Sequence, residues 1–156
     1  MTSSRRFRDA IGSFPTGVAV VTANGPAGLT TNAVTSLSLD PVLLLVCFDN
    51  DSRTLPHVRE TGRFGVNVLR ADQEELARVF ASKRVAEEKF AAVTHEIVDG
   101  VPVLEGVIAW FVCEVRQLVP GGDHTIGIGA VKELWHDPEG EALMFVRGRF
   151  TGPPPR

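Results

Sequence analysis

The stretch GLTTNAVTSLSL, residues 28–39, decides how this chain is read. It sets Thr30, Thr31, Asn32, Thr35, Ser36 and Ser38 on an apolar frame of Val34, Leu37 and Leu39. Small hydroxyls and one amide give short donors and acceptors. Gly25 and Gly28 lie just before them, so the backbone there can approach a flat ring or an anion closely. Thr and Val are also good strand formers, and the plainer reading is a polar-faced β-strand.

Working outward, the β-branched run 17–23 and the turn cluster Asn24-Gly25-Pro26-Ala27-Gly28 predict a hairpin whose second strand is 29–39. Asp40-Pro41 then turns the chain into 42–48, which is apolar throughout and reads as a central strand covered on both faces. Upstream, Phe7, Ala10 and Ile11 make one stripe of a short helix over 4–13, which Pro15 stops. Downstream, Ser52 caps a helix that runs to about Thr61 and ends at Gly62. A strand follows at 63–69. Asp72 with Glu75 forms a capping-box-like start for a helix that buries Leu76, Val79 and Phe80.

The mixed-charge run 82–90 predicts a mobile loop or a broken helix, and 94–98 a strand followed by an apolar connector at 101–104. Strands at 107–118 and 125–134 flank the turn Pro120-Gly121-Gly122-Asp123, and a last strand lies at 143–146. The tail Gly152-Pro153-Pro154-Pro155 cannot join a sheet. About seven strands at close spacing and two or three helices define a mainly β, α+β class: an antiparallel barrel with flanking helices.

At 156 residues the chain reads as one domain over 1–156, with 1–6 and 152–156 as flexible tails. Its 44% hydrophobic and 22% charged residues are ordinary for a globular protein, and the net charge of −3 offers nucleic acid no attraction. The polar, basic start of the chain has no apolar core of a signal peptide, and no apolar run is long enough to cross a bilayer. Cys47 and Cys113 sit in separate apolar segments without metal or redox spacing, which fits free thiols in a cytoplasmic protein. Gly127-Ile128-Gly129 lacks the third glycine of a dinucleotide fingerprint, position 132 being Lys, so these glycines mark a bulge or a close approach by a planar ring. Hydrolase and metal motifs are absent from the sequence.

The segments FPTGVAVVTA (14–23), 28–39, 42–50 with Ser52-Arg53-Thr54, and RFGVNVL (63–69) occur in an order that resembles the flavin reductase family, the FMN-binding split-barrel group. The similarity extends from Phe7 to Phe150. It implies an antiparallel split β-barrel and an NAD(P)H:flavin oxidoreductase, with hydride passing from NADH or NADPH to FMN or FAD and reduced flavin going to a partner monooxygenase. A homodimer is also implied. Residue by residue, it implies flavin contacts from Thr30, Asn32, Thr35 and Ser36, with the backbone of Ala33 and Val34 against the isoalloxazine. Asp49, Ser52 and Thr54 would serve the ribityl and phosphate side, and Lys83 and Phe90 fall in a further flavin-contacting segment. His124, after Gly121-Gly122-Asp123, matches the histidine beside the nicotinamide; it positions that ring, and no side chain acts as acid or base. The family's tyrosine after Gly-Arg is Phe150 here. The competing reading is a flavin- or haem-binding split-barrel module without turnover.

Overall fold

The computed structural model describes residues 1–153. Its elements are α1 (Ser4–Ile11), β1 (Thr16–Gly17), β2 (Ala19–Ala23), β3 (Ala27–Thr31), β4 (Val34–Leu39), β5 (Val42–Asp49), α2 (Leu55–Thr61), β6 (Arg63–Val68), α3 (Glu74–Ala81) and α4 (Ala86–Ala91). They continue as β7 (His95–Val98), β8 (Val101–Leu104), β9 (Ala109–Gly121), β10 (His124–His136), β11 (Met144–Val146) and β12 (Arg149–Thr151). Seven strands form one antiparallel sheet in the order β3-β2-β6-β9-β10-β5-β4. Its two edge strands, β3 and β4, are consecutive in the chain, so the sheet curls until its edges face each other across Asn32 and Ala33. This is the split barrel expected from the sequence.

The single strand predicted over 29–39 is therefore two. β3 pairs with β2, β4 pairs with β5, and the chain changes edges at Asn32-Ala33, where Cys47 N–H donates to Ala33 O at 3.0 Å. Strand propensity is continuous through this stretch, but the pairing partners are not.

Alternation fixes the two larger cores, beside a small third one of Val101, Val103 and Val112. Ala19, Val21 and Ala23 of β2, with Leu44, Val46, Phe48, Phe64 and Val66, fill the barrel, where Leu55 and Val58 of α2 join them. Val18 and Val20 face the other way and pack with Leu76, Ala77, Val79 and Phe80 of α3 and with Phe90 of α4. β5 is not covered on both faces as predicted. Leu44, Val46 and Phe48 are buried, whereas Leu43, Leu45 and Cys47 on the opposite face are only half-buried.

Gly127 and Gly129 do mark a bulge, with a register shift between Ile128 and Gly129. The planar rings they admit are the protein's own. A Cβ on Gly127 would lie 2.6 Å from the Phe48 ring, and one on Gly129 would lie 2.6 Å from Phe64.

Other local expectations are revised by competing partners. Asp72 does not cap α3; it pairs with Arg70 at 2.7 Å, while Gln73 Oε1 accepts from Arg70 N–H at 2.8 Å and Gln73 takes the cap position. Of the two alternatives for 82–90, the broken helix holds, with α3 ending at Ala81 and α4 starting at Ala86, while the expected connector 101–104 is a strand, pairing with β7 in a hairpin. The expected tail over 1–6 is helical from Ser4, with Arg6 N–H on Ser3 Oγ at 3.2 Å. Pro154 and Pro155 of the expected C-terminal tail lie outside the described residues.

Candidate functional site

The edge crossing opens a groove along the barrel seam, made of two clefts that share Thr31, Asn32 and Cys47. One cleft, of about 530 Å³, is the more polar of the two. Thr30, Asp49, Ser52 and Thr54 line it, and Arg53, Lys83, Arg84 and Lys89 set four cations against the carboxylates of Asp49 and Asp51. The other, of about 540 Å³, is mainly apolar, with Phe14, Pro15, Val18, Ala19, Ala33, Val34, Leu45 and Val68 in its walls beside Thr16 and Thr35.

The polar cleft is built by loop bonding around the end of β5. Asp49 O accepts from Ser52 N–H at 3.1 Å, Asp49 Oδ1 accepts from Asp51 N–H at 2.8 Å, and Ser52 Oγ accepts from Leu55 N–H at 3.2 Å. Ser52 Oγ thus meets the first amide of α2 from outside the helix: α2 starts at Leu55 with Thr54, not the predicted Ser52, at its N-cap position, because the Asp49–Ser52 backbone bond closes a turn first. Thr54 is buried and only its wall atoms bound the cleft. Thr30 Oγ1 donates to Ala77 O at 2.6 Å, so its hydrogen ties β3 to α3 and its oxygen keeps acceptor capacity toward the groove.

His124 and Asp49 are direct register partners on β10 and β5, which puts both at the rim of the polar cleft. Asp123 Oδ1 lies 2.7 Å from His124 Nδ1. That hydrogen bond, and the charge of the imidazole, hold the Asp123 carboxyl below the usual carboxylate range. With Nδ1 occupied, Nε2 is the ring nitrogen left for a ligand.

Two of the sequence-derived positions are placed elsewhere. Ser36 is exposed on β4 and lines neither cleft. Phe90 is 7% exposed and stacks edge-on against Phe80, ring centroids 5.2 Å apart, so it sits in the core behind the cleft wall and supports it from inside. Lys83 is exposed and reaches the cleft rim.

The sequence reading missed Lys89, one residue before Phe90. Once 86–91 coils into α4, Phe90 turns into the core and Lys89 reaches the cleft. There Lys89 Nζ donates to Phe80 O at 3.1 Å and Gly28 O at 3.3 Å. Burial, and then the charge of Arg53, push the Lys89 ammonium below its ordinary pKa. A cation held close to another cation is relieved by an anion between them. Cys47 and Arg84 were also not read as groove residues, whereas Thr31 and the Phe14–Val18 wall lie in stretches the sequence had singled out without assigning them a contact.

A groove with a cationic end, a hydroxyl-lined middle and an apolar end suits a flat heteroaromatic ring on a polyol phosphate. The fold and this groove together define a split-barrel protein for a phosphorylated ring cofactor. Residues 11–153 match the flavin reductase like domain, and the chain belongs to that family. It is 40% identical over 151 residues to a flavin reductase of Pseudomonas putida, covering 94% of this chain and 88% of that one. It is 36% identical to the reductase subunit of a flavin-dependent monooxygenase from Mycobacterium tuberculosis, over 95% and 81% of the two chains. Among solved structures, it is similar to the Streptomyces globisporus NADH:FAD oxidoreductase in complex with NAD and FAD fragments. That likeness has a TM-score of 0.92 at 38% identity, over 97% of this chain and 93% of that one.

Proposed function

We propose that the protein reduces FMN or FAD with NADH or NADPH in the seam groove and passes the reduced flavin to a partner monooxygenase. The observation that carries this is the continuity of the cationic and apolar clefts through Thr31, Asn32 and Cys47. When bound, the flavin supplies the redox chemistry. The chain's own residues bind and orient. Arg53, Lys83 and Lys89 neutralise the phosphate, and Asp49, Ser52 and Thr54 border the polyol. Asn32, Thr35 and the backbone of Ala33 and Val34 surround the ring, Thr30 borders it from the polar cleft, and Leu45, Val68 and Pro15 keep water from its apolar end. His124, held by Asp123, orients the nicotinamide at the rim.

A homodimer belongs to the same proposal. Helices α2, α3 and α4 pack on β2, β3 and β6. The opposite wall presents Leu43, Leu45 and Cys47 of β5 beside Ile126 and Ile128 of β10, all half-buried. Phe7 and Ile11 of α1 are exposed too, and that helix buries no residue. A second copy covering this wall would also roof the groove that Leu45 and Cys47 line. No helix among the described residues is long and apolar enough to cross a membrane, and the two free thiols fit the proposed cytoplasmic location.

The deciding experiment mixes purified protein with NADH or NADPH and catalytic amounts of FMN or FAD while the nicotinamide absorbance is followed. Flavin-dependent loss of the reduced nicotinamide is expected. Flavin binding without that loss would reinstate the non-catalytic module.

A further inference from the structure

The turn that presents His124 is held by a residue outside it. Gly122 has φ 70° at the tip of the β9–β10 hairpin, and among the described residues a Cβ there would meet nothing within 4 Å. Beyond the strand ladder, then, no packing fixes this tip, and glycine backbone left to itself samples many conformations. Asn50, just past the end of β5, supplies the ties. Its Nδ2 donates to Gly122 O at 3.2 Å, and its backbone N–H donates to Asp123 O at 3.1 Å. The carboxamide is itself oriented from behind: Thr125 Oγ1 donates to Asn50 Oδ1 at 2.7 Å, and Arg59 Nη2 donates to Thr125 Oγ1 at 3.4 Å. Thr125 is 5% exposed, so little water competes for its hydroxyl. The bonds to Gly122, Asp123 and Thr125 bracket His124 on both sides.

We propose that Asn50 is a positioning residue for the reduced nicotinamide, its carboxamide clamping the 122–125 segment so that His124 is held at the cleft rim. This rests on the reading of His124 as the nicotinamide contact and adds the group that holds it. Asn50 lies between Asp49 and Ser52, both of which line the polar cleft, so one loop borders the flavin and steadies the contact to the hydride donor. Without the carboxamide, the turn has to be ordered each time the nicotinamide binds, and that ordering cost appears in KM.

The test measures KM for NADH or NADPH, whichever wild type oxidises, and the Kd of FMN, in wild type, Asn50→Ala, His124→Ala and the double variant. Thr125→Val and Thr125→Ser are measured alongside. Asn50→Ala is expected to raise KM by about three- to tenfold, one neutral hydrogen bond's worth, with the FMN Kd within about twofold of wild type. In the His124→Ala background the same change should add nothing, because the group it positions is gone. Thr125→Val should raise KM in the same direction, and Thr125→Ser, which keeps the hydroxyl, should bring it back. An unchanged KM in Asn50→Ala overturns the proposal, as does an equal rise with His124 already removed, or a rise matched by weaker FMN binding, which marks a general loosening of the loop. If His124→Ala itself leaves KM where it was, the nicotinamide reading of His124 fails and takes the proposal with it; that single variant identifies the case.

Discussion

Replacing Gly129 with alanine puts one methyl group into the barrel where the neighbours cannot yield. The new Cβ would stand 2.6 Å from Phe64 Cζ, 2.8 Å from Cys113 Cβ and 2.9 Å from Phe64 Cε1. Carbon atoms are comfortable at about 3.5 Å or more, so the neighbours must move by roughly 0.6–0.9 Å. Phe64 and Cys113 are both 0% exposed, and the Phe64 ring is fixed edge-to-face against Phe48 at 5.5 Å. Overpacking of this kind costs about 1–3 kcal/mol, and the lost glycine freedom in the unfolded chain offsets about 0.4–1 kcal/mol of it. The net is a destabilisation of about 1–2 kcal/mol, or a Tm lower by about 2–8 °C for a domain of this size. Gly17→Ala meets nothing within 4 Å and should leave apoprotein stability unchanged or slightly raised. Calorimetry on the two apo variants is the assay. A Gly129→Ala protein as stable as wild type, or one that folds normally but loses flavin, would refute the view that this glycine makes room for Phe64 and not for a ligand.

His124→Ala should raise KM for the reduced nicotinamide far more than it lowers kcat, with Asp123→Asn shifting KM less and in the same direction; steady-state kinetics with unchanged KM would remove the pair from the site. Lys89 has a folded-state pKa below its unfolded one, so between the two values the unfolded chain binds a proton that the folded chain lacks, and stability rises with pH across that window. The positive charge at the cleft is present below the lowered pKa and lost above it. FMN affinity should therefore fall as pH rises through that value while riboflavin affinity stays flat, and Lys89→Met should abolish the difference; parallel titrations of the two flavins check it. Ile128→Glu on the outer wall of β10 should convert a dimer to monomers in sedimentation, and an unaltered species would move the interface elsewhere.

The hairpin at 24–28 and the helix ending at Gly62 were legible because short-range turn and cap chemistry decides them. What escaped was set by partners distant in the chain. Nothing between 29 and 39 announces a change of sheet edge, since Thr31 and Val34 are equally good strand residues; the break exists because β2 and β5 bond to different halves. Likewise, the glycines of β10 owe their conservation of space to Phe48 and Phe64, far away in sequence. At Phe90 helical phase turns the side chain inward and brings Lys89 to the groove, a choice that depends on α4 forming and not on residue type. Arg53 became part of a cation pair only once Lys89 was placed beside it in the cleft.

Cys47 reports directly on whether flavin occupies the seam, because its side chain lines both clefts where they meet. Cys113 serves as the internal control, its thiol wholly buried and its pKa pushed up to about 12 by that burial. The rate at which iodoacetamide labels Cys47, read by mass spectrometry, should fall sharply in saturating FMN while Cys113 stays unlabelled throughout. Labelling of Cys47 at the same rate with and without FMN would contradict a flavin bound in this groove.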